Sequence, residues 1–174
     1  MTENALFSLK GKKILITGAS SGIGASVAKL ASEQGALCII NGRNEERLDQ
    51  TLKCLTGEGH IAIGSDLKEG KGTELVKKAV KQAGPLNGFV HCAGIEKTLP
   101  FRATQISDLR EIMAINLETF WEITQELIKS KNYEKEKLSV VGISSVAALY
   151  GAPGKTAYAA SKGALISLIK SLAA

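Results

Sequence analysis

Residues 13–24 read KILITGASSGIG, and this stretch decides the fold. Its first five residues are mostly apolar, which predicts a buried strand. Glycines follow at positions 18, 22 and 24, and apolar residues then recur at helical spacing. A strand that runs through a glycine-rich turn into a helix predicts an anion site, because the free N–H groups of the turn and the helix dipole attract negative charge.

The same alternation of strand and helix continues along the chain. The sequence predicts strands at 13–17, 37–40, 61–63, 89–92 and 138–143, and helices at 22–34, 45–55, 72–83, 107–130 and 156–174. Ser107 is the expected N-cap of the long helix, with Arg110 where a capping box has an acid. Such alternation implies parallel strands joined by right-handed crossovers. The predicted fold class is α/β, a Rossmann-like doubly wound parallel sheet with helices on both faces, in one domain spanning residues 1–174.

Composition and charge narrow the function classes. The hydrophobic content of 44% is ordinary for a folded domain, and the net charge of +5 admits an anionic ligand. Basic residues are scattered among acids, as in the EKEK run at 134–137, and no aromatic stacking platform accompanies them. We therefore expect no nucleic-acid partner.

The cysteines and the apolar runs bear on the cellular compartment. Cys38, Cys54 and Cys92 lie far apart and lack metal-ligand spacing, which predicts reduced thiols and no metal site. Residues 1–4 show no positive region leading into an apolar signal segment, and no apolar run is long enough to span a bilayer. We expect a cytoplasmic protein with no membrane partner.

Each glycine of the first turn has its own expected role. Gly18 can take the positive φ of a tight turn, Gly22 lets the backbone approach a pyrophosphate, and Gly24 allows close helix packing. The spacing G-x3-G-x-G differs from the G-x-G-x-x-G of other dinucleotide folds. A glycine-rich turn without a ligand is the alternative. The position between the first strand and the first helix favours a dinucleotide.

The end of the second strand bears on the choice of cofactor. An acid there would bond a ribose 2′-hydroxyl, whereas an arginine accommodates a 2′-phosphate. The run at 40–44 is INGRN, with no carboxylate and with Arg43 just beyond the strand. This predicts a preference for NADP(H), with NAD(H) still open and with a solvated loop residue as the alternative reading of Arg43. Asp66, after the third strand, is expected either to contact adenine or to form a turn.

Tyr158 and Lys162 form the first part of a catalytic pattern. They are four residues apart at the start of the last predicted helix, so both side chains share one face. An ammonium group near a phenol stabilises the phenolate and makes the phenol a better acid at neutral pH. The pair also occurs by chance, and its meaning depends on context.

Ser145 and Asn116 supply that context. Ser145 follows the fifth predicted strand, where its hydroxyl can donate to a carbonyl oxygen that gains charge during hydride transfer. Ser144 beside it is the rival, because neighbours on a strand point to opposite faces. Asn116 lies inside the long predicted helix and is expected either to bond its own helix or to hold a water.

These motifs together resemble those of the short-chain dehydrogenase/reductase family. Within that family, the chain as a whole looks like the 3-oxoacyl-acyl-carrier-protein reductase branch. The resemblance rests on the TGxxxGxG run at 17–24, Asn116, Ser145 and the YxxxK pair of Tyr158 and Lys162, in the family's order and spacing. It implies that Tyr158 is the general acid/base and that Lys162 assists it and holds the nicotinamide ribose. It further implies that Ser145 steadies the reacting oxygen and that Asn116 supports a proton-relay water.

The resemblance also implies a cofactor site. The residues expected to bind the cofactor are Gly18, Ser20, Ser21, Gly22, Ile23, Gly24, Arg43, Asp66, Leu67, Ala93, Gly94, Tyr158 and Lys162. One motif departs from the family pattern, because the run at 91–94 is HCAG where the family often has NNAG. The two lost asparagines put local bracing of the sheet in doubt, and His91 is expected to be a packed strand-end residue without a catalytic role.

The family resemblance sets expectations for the whole protein. Relatives usually continue through two more strands and a substrate-covering segment, so we expect the last strands to be missing and apolar surface to be open. The expected function is NADP(H)-dependent hydride transfer between nicotinamide and a ketone or secondary alcohol. Of the possible substrates, the first expectation is a 3-oxoacyl thioester carried by acyl carrier protein. A homodimer or homotetramer is expected through the long helix and the Tyr-Lys helix. The alternative function is a non-catalytic dinucleotide-binding module that acts as a sensor or scaffold.

Overall fold

Five parallel strands form one sheet in a computed structural model that describes residues 7–68, 70–134 and 138–174. The strands are β1 (Lys13–Thr17), β2 (Leu37–Gly42), β3 (Ile61–Gly64), β4 (Gly88–His91) and β5 (Ser139–Gly142). Their spatial order is β3-β2-β1-β4-β5, so the strand order reverses between β1 and β4. The predicted doubly wound parallel sheet is confirmed. Residues 1–4, on which the expectation of no signal segment rests, and residues 135–137 of the mixed-charge run lie outside the described residues.

Helices cover both faces of this sheet, as predicted. They are α1 (Gly22–Glu33), α2 (Glu45–Lys53), α3 (Lys71–Ala83), α4 (Ile106–Met113), α5 (Thr119–Leu127), α6 (Ala147–Tyr150) and α7 (Thr156–Leu172). Apolar side chains of α1 and α2 pack on one face of the sheet, and those of α3, α5 and α7 pack on the other. The central strands β1 and β2 are therefore buried between two layers, which explains their continuous apolar runs.

The long predicted helix is interrupted, and its predicted start is wrong. The helix begins at Ile106, and the Asp108 carboxylate accepts the backbone N–H of Gln105 at 2.9 Å. Gln105 rather than Ser107 is thus the N-cap, and Asp108 rather than Arg110 occupies the acidic position of the capping box. Ser107 lies inside the first turn, where it cannot cap.

A π-helical segment, Ala114–Glu118, separates α4 from α5. The Thr119 hydroxyl lies 3.0 Å from both the Ala114 carbonyl oxygen and the Leu67 carbonyl oxygen. A side chain that inserts into the backbone ladder in this way accommodates one extra residue in the turn. The bulge places Asn116 in a fully buried position that the regular helical pattern did not predict.

Two differences from the predicted bounds affect the site. β2 extends to Gly42 because Asn41 and Gly42 continue the pairing with Ile63 and Gly64 of β3. The short helix α6 begins two residues after Ser145 and was not predicted. Within the described ranges, no helix is both long and apolar enough to cross a membrane.

His91 braces the centre of the sheet at the end of β4. Its side chain is fully buried, packs against the rings of Phe89 and Phe120, and its Nδ1 lies 2.9 Å from the Thr17 hydroxyl oxygen. Thr17 also accepts the backbone N–H of Ala93 at 3.3 Å. A histidine and a threonine therefore tie β1 to β4 where the related family often uses asparagine, so the altered motif still braces the sheet.

Burial, reinforced by the positive charge of Lys162, lowers the pKa of His91 from its ordinary value of 6.5 to about 3. The folded protein therefore keeps His91 neutral while the unfolded chain takes up a proton below pH 6.5. This contribution to stability is complete above pH 6.5 and is lost as the pH falls toward 3. We expect the free energy of unfolding to fall by about 2 kcal/mol between pH 7 and pH 5 on this account.

Urea unfolding at pH 7 and pH 5 measures this loss of stability. The His91→Gln variant should show no such loss between the two pH values, even if it is less stable than wild type at pH 7. The matched control is His60→Gln, since the chain has 2 histidines. Equal pH dependence in wild type and His91→Gln would contradict the assignment.

Candidate active site

The main cleft lies at the carboxyl ends of the strands, where the strand order reverses. It has a volume of about 330 Å³ and is formed by the loops after β1, β2, β3 and β4. All residues expected to bind the cofactor line it except Tyr158 and Lys162. Open doubly wound sheets bind their ligands at this position, because the loops on either side of the reversal diverge and leave a crevice.

The backbone geometry of the glycine loop explains why glycine stands at positions 18, 22 and 24. Gly18 has φ 67° and Gly22 has φ 54°, values that favour glycine. A Cβ at Gly18 would lie 2.7 Å from the Ala93 backbone nitrogen, whereas a Cβ at Gly22 would meet open space. A Cβ at Gly24 would collide with the Gly18 carbonyl oxygen, so this glycine permits packing of the helix on the loop itself. The loop is closed toward the sheet and open toward the cleft.

The end of β2 forms the second wall of the cleft. A Cβ at Gly42 would lie 2.8 Å from the Ser20 Cβ, so glycine at this point allows the strand end to touch the glycine loop. The Asn41 amide instead points toward β3 and donates to the Ile63 carbonyl oxygen at 2.9 Å. Arg43 follows at the cleft edge and is exposed.

Arg47 also lines this cleft, and sequence reasoning missed it. It lies in the first turn of α2, four residues after Arg43. The available signal was a second arginine one helical turn beyond the first, at the start of a predicted helix. The spacing alone did not show that both side chains face the same cleft.

The loop after β3 brings Asp66 and Leu67 to the opposite side. Asp66 Oδ1 accepts the Lys68 backbone N–H at 3.3 Å, which is the turn-forming role that was the alternative for this residue. Asp66 also lines the cleft, so the turn presents its carboxyl group there. Leu67 is buried beneath the loop and supplies an apolar surface.

Lys162 is a buried cation beside the cleft. Only 4% of the residue is exposed, and its Nζ donates to the Ile143 carbonyl oxygen at 2.7 Å. Burial lowers the pKa of the Lys162 ammonium group. Burial raises the pKa of the nearby Cys92 thiol to about 11, so that thiol is neutral at pH 7. The positive charge of Lys162 is therefore not balanced by Cys92.

Lys162 connects the cleft to Tyr158. Its Nζ lies 5.9 Å from the centroid of the Tyr158 ring. A Cβ at Gly94, which lines the cleft, would lie 3.5 Å from the same Nζ. Tyr158 and Lys162 occupy the first two turns of α7, as the spacing predicted. The ammonium group thus sits between the cleft and the phenol.

The two serines after β5 have different partners. The Ser144 hydroxyl donates to the Lys162 carbonyl oxygen at 3.1 Å and ties the loop to α7. Ser145 Oγ accepts the Ala147 backbone N–H at 3.2 Å at the start of α6. Because Ser145 accepts in that bond, its hydroxyl hydrogen can be donated to a substrate oxygen. Both serines lie beyond the end of β5. Their hydrogen-bond partners therefore distinguish them, and the alternation of side chains along a strand does not.

Asn116 holds the loop after β4 against α7. Its Oδ1 accepts the Ile95 backbone N–H at 2.8 Å, and its Nδ2 donates to the Ile95 carbonyl oxygen at 3.0 Å. Nδ2 also donates to Ser161 Oγ at 3.0 Å, and Ser161 donates to the Tyr158 carbonyl oxygen at 2.7 Å. Sequence reasoning missed Ser161, whose position three residues after Tyr158 was the only signal.

The fold and this site define a doubly wound α/β protein with a Tyr-Lys pair beside its cleft. The sequence profile described as short chain dehydrogenase matches residues 12–174, and the chain belongs to this family. Within the described ranges, no cluster of three or more His, Cys, Asp or Glu side chains is arranged to hold a metal ion.

Individual relatives share about a third of the sequence. The chain is 34% identical to a glucose 1-dehydrogenase of Gluconobacter oxydans over 94% of this chain and 63% of the relative. It is 32% identical to a 3-oxoacyl-acyl-carrier-protein reductase of Thermotoga maritima over 95% of this chain and 68% of the relative. A structure from Shigella flexneri 2a, assigned as a short chain dehydrogenase complexed with NADP, has a TM-score of 0.86 and 30% identity, covering 94% of this chain and 71% of that one. The chain thus spans about two thirds of the length of these curated relatives.

Ser161→Ala tests the buried hydrogen-bond chain through Asn116. Both residues are fully buried, so the substitution leaves one hydrogen of Asn116 Nδ2 without an acceptor. We expect the free energy of unfolding to fall by about 1–3 kcal/mol, measured by urea unfolding at pH 7.

Ser171→Ala is the matched control, because Ser171 lies on the same helix but is exposed and bonds only its own backbone turn at Ser167. We expect that change to stay within about 0.5 kcal/mol. Equal losses in the two variants would show that the Asn116 contact contributes nothing to stability.

Proposed function

We propose that this chain is the cofactor-binding and proton-transferring part of an NADP(H)-dependent oxidoreductase that interconverts ketones and secondary alcohols. The observation that carries the proposal is the buried Lys162 ammonium group, which lies between the cleft at Gly94 and the ring of Tyr158. Residues 1–174 would form a single nucleotide-binding domain. The free state of Cys38, Cys54 and Cys92 supports a reducing compartment such as the cytoplasm.

The residues that line the cleft fit a phosphorylated dinucleotide. The open side of Gly22 and the N-terminus of α1 would hold the pyrophosphate, since no Cβ occupies that space. Asp66 and Leu67 would flank the adenine, and Ala93 and Gly94 would lie along the nicotinamide half. Lys162, beside Gly94, would bond the nicotinamide ribose. When bound, the cofactor supplies or accepts the hydride.

The protein's own groups handle the proton and the developing charge on the substrate oxygen. Tyr158 would give its phenolic proton to that oxygen during reduction and take it back during oxidation. The adjacent Lys162 ammonium stabilises the phenolate left behind, because burial strengthens the interaction between the two groups. Ser145 would donate its hydroxyl hydrogen to the same oxygen. Asn116 would keep the loop at Ile95 and α7 in fixed relation through its hydrogen bonds.

The cofactor preference is proposed from the end of β2. Arg43 stands at the cleft edge and can bond a 2′-phosphate bidentately. A side chain at Gly42 would collide with Ser20, so the acid that would select NAD(H) does not fit there without a shift. NAD(H) remains the second choice.

The proposed substrate class is a 3-oxoacyl thioester, with acyl carrier protein as the carrier. A reductase of this class is among the relatives, and so is a glucose dehydrogenase, which makes a sugar the competing class. NADPH oxidation with acetoacetyl thioester, and NADP reduction with glucose, separate the two. A binding module without turnover is the alternative function, and it predicts cofactor binding with neither activity.

Tyr158→Phe tests the proposed chemistry. Loss of the phenolic proton should lower kcat about 10²–10⁴-fold and leave the NADPH dissociation constant nearly unchanged. Tyr133→Phe is the matched control, since Tyr133 lies beside Leu86 at the opposite end of β4. Turnover that is equal in wild type and Tyr158→Phe would rule out the proposed role. Absence of turnover in the wild type, together with intact NADPH binding, would favour the module.

Self-association through α5 and α7 is also proposed. Trp121 on α5, Ile128 at the C-cap of α5 and Leu172 on α7 are each more than half exposed and border one apolar depression. Apolar surface of this kind favours contact with another protein surface, and a second copy of the chain is the proposed partner.

Trp121→Glu should shift the protein toward the monomer, because it introduces a charge into the apolar depression. We expect at least a tenfold weaker self-association, measured by sedimentation equilibrium. Leu30→Glu on α1, where Leu30 is also exposed, should leave the association unchanged. A Trp121→Glu protein that associates as wild type does would place the contact elsewhere.

A further inference from the structure

We propose that Arg47 acts with Arg43 as a second cation for the cofactor's 2′-phosphate and so determines the preference for NADP(H). This inference rests on the proposed function and extends it to a residue on another element. Arg43 follows β2, whereas Arg47 belongs to the first turn of α2, and both line the cleft that contains the glycine loop.

The backbone of Arg47 is held in place at the start of α2. Its N–H donates to the Asn44 side-chain oxygen at 2.8 Å, which caps the helix. Its carbonyl oxygen accepts the Thr51 hydroxyl at 3.1 Å. These bonds fix the point from which the Arg47 side chain reaches the cleft, while the guanidinium group itself is exposed and able to turn toward a ligand.

Both arginines have their charge available for an anion. Across residues 7–68, 70–134 and 138–174, every ion pair between side chains uses a lysine, and neither Arg43 nor Arg47 forms one. Glu45, which lies between them in sequence, is packed beside Gly64 at the end of β3. The cleft edge therefore carries two guanidinium groups that are not neutralised by a described carboxylate.

A phosphate monoester has enough charge and enough acceptor oxygens to bond more than one such group. At pH 7 it carries a charge of about −1.5 to −2 and presents three acceptor oxygens. One guanidinium group bonds two of those oxygens in a fork, which leaves charge and acceptor capacity for a second. A ribose 2′-hydroxyl offers neither, so the second arginine discriminates between the two cofactors rather than strengthening both.

Calorimetric titration of the full chain with NADPH and with NADH tests this role. The proteins are wild type, Arg43→Gln, Arg47→Gln and the control Arg110→Gln, which removes an exposed arginine of α4. We expect Arg47→Gln to weaken NADPH binding about tenfold or more, because one charge-assisted bond is lost, and to change NADH binding less than about twofold. Arg110→Gln should bind both cofactors as wild type does.

Other outcomes overturn the inference in distinguishable ways. If Arg47→Gln matches Arg110→Gln, or weakens both cofactors equally, Arg47 does not contact the 2′-phosphate, and the proposed function stands. If wild type binds NADH as tightly as NADPH, neither arginine determines cofactor selectivity, but the proposal that the chain binds the cofactor is still supported. If wild type binds neither cofactor, the proposed function fails together with this inference.

Discussion

The close approach of the loops after β1 and β4 is the constraint on which the rest of the site depends. A Cβ at Gly18 would lie 2.7 Å from the Ala93 nitrogen, so the two backbones meet without an intervening side chain. The bond between Thr17 and His91 holds the strand ends together just below that contact. Because the side that faces the Ala93 backbone is closed, the glycine loop is open only toward the crevice where the strand order of the sheet reverses. A larger residue at position 18 would separate the loops and change the shape of the cleft.

Buried polar groups on α7 set the second half of the site. Placing an ammonium group in the interior is costly, and the cost is reduced by the 2.7 Å bond from Lys162 to the Ile143 carbonyl oxygen. The neutral Cys92 thiol adds no counter-charge to the Lys162 ammonium group. Asn116 and Ser161 then fix α7 relative to the loop at Ile95. Stability and proposed chemistry therefore depend on the same hydrogen bonds.

The HCAG run at 91–94 shows that different residue types can fill the same structural role. The departure from the family's usual motif put bracing of the sheet in doubt, because a histidine and a cysteine replace two asparagines. In the structure, His91 bonds Thr17, and Thr17 accepts the Ala93 N–H, so neighbouring strands and the cofactor loop remain tied. Replacement of a neutral amide by an imidazole adds one property, namely a group that must stay unprotonated to remain buried.

Much of the fold and part of the site could be predicted because they depend on local patterns. Short apolar runs and helical periodicity located the five strands of the described sheet. The glycines, Arg43 and the Tyr-Lys spacing located many, but not all, of the residues that line or flank the cleft. Contacts between distant segments could not be predicted in this way. One such contact is the bond from the Thr119 hydroxyl, next to the π-helical segment, to the Leu67 carbonyl oxygen, since these residues are far apart in the chain.

The alternation of strands and helices, the family and the position of the glycine loop could all be inferred from the amino-acid sequence, since each follows from residues close together in the chain. Only the tertiary structure decided that Arg47 shares a cleft with Arg43, that Ser161 connects Asn116 to Tyr158, and that Ser144 is engaged by α7 while Ser145 is not. The physical reason is that hydrogen bonds and shared surfaces between separate segments depend on how the sheet and helices pack, and sequence spacing carries no direct record of that packing.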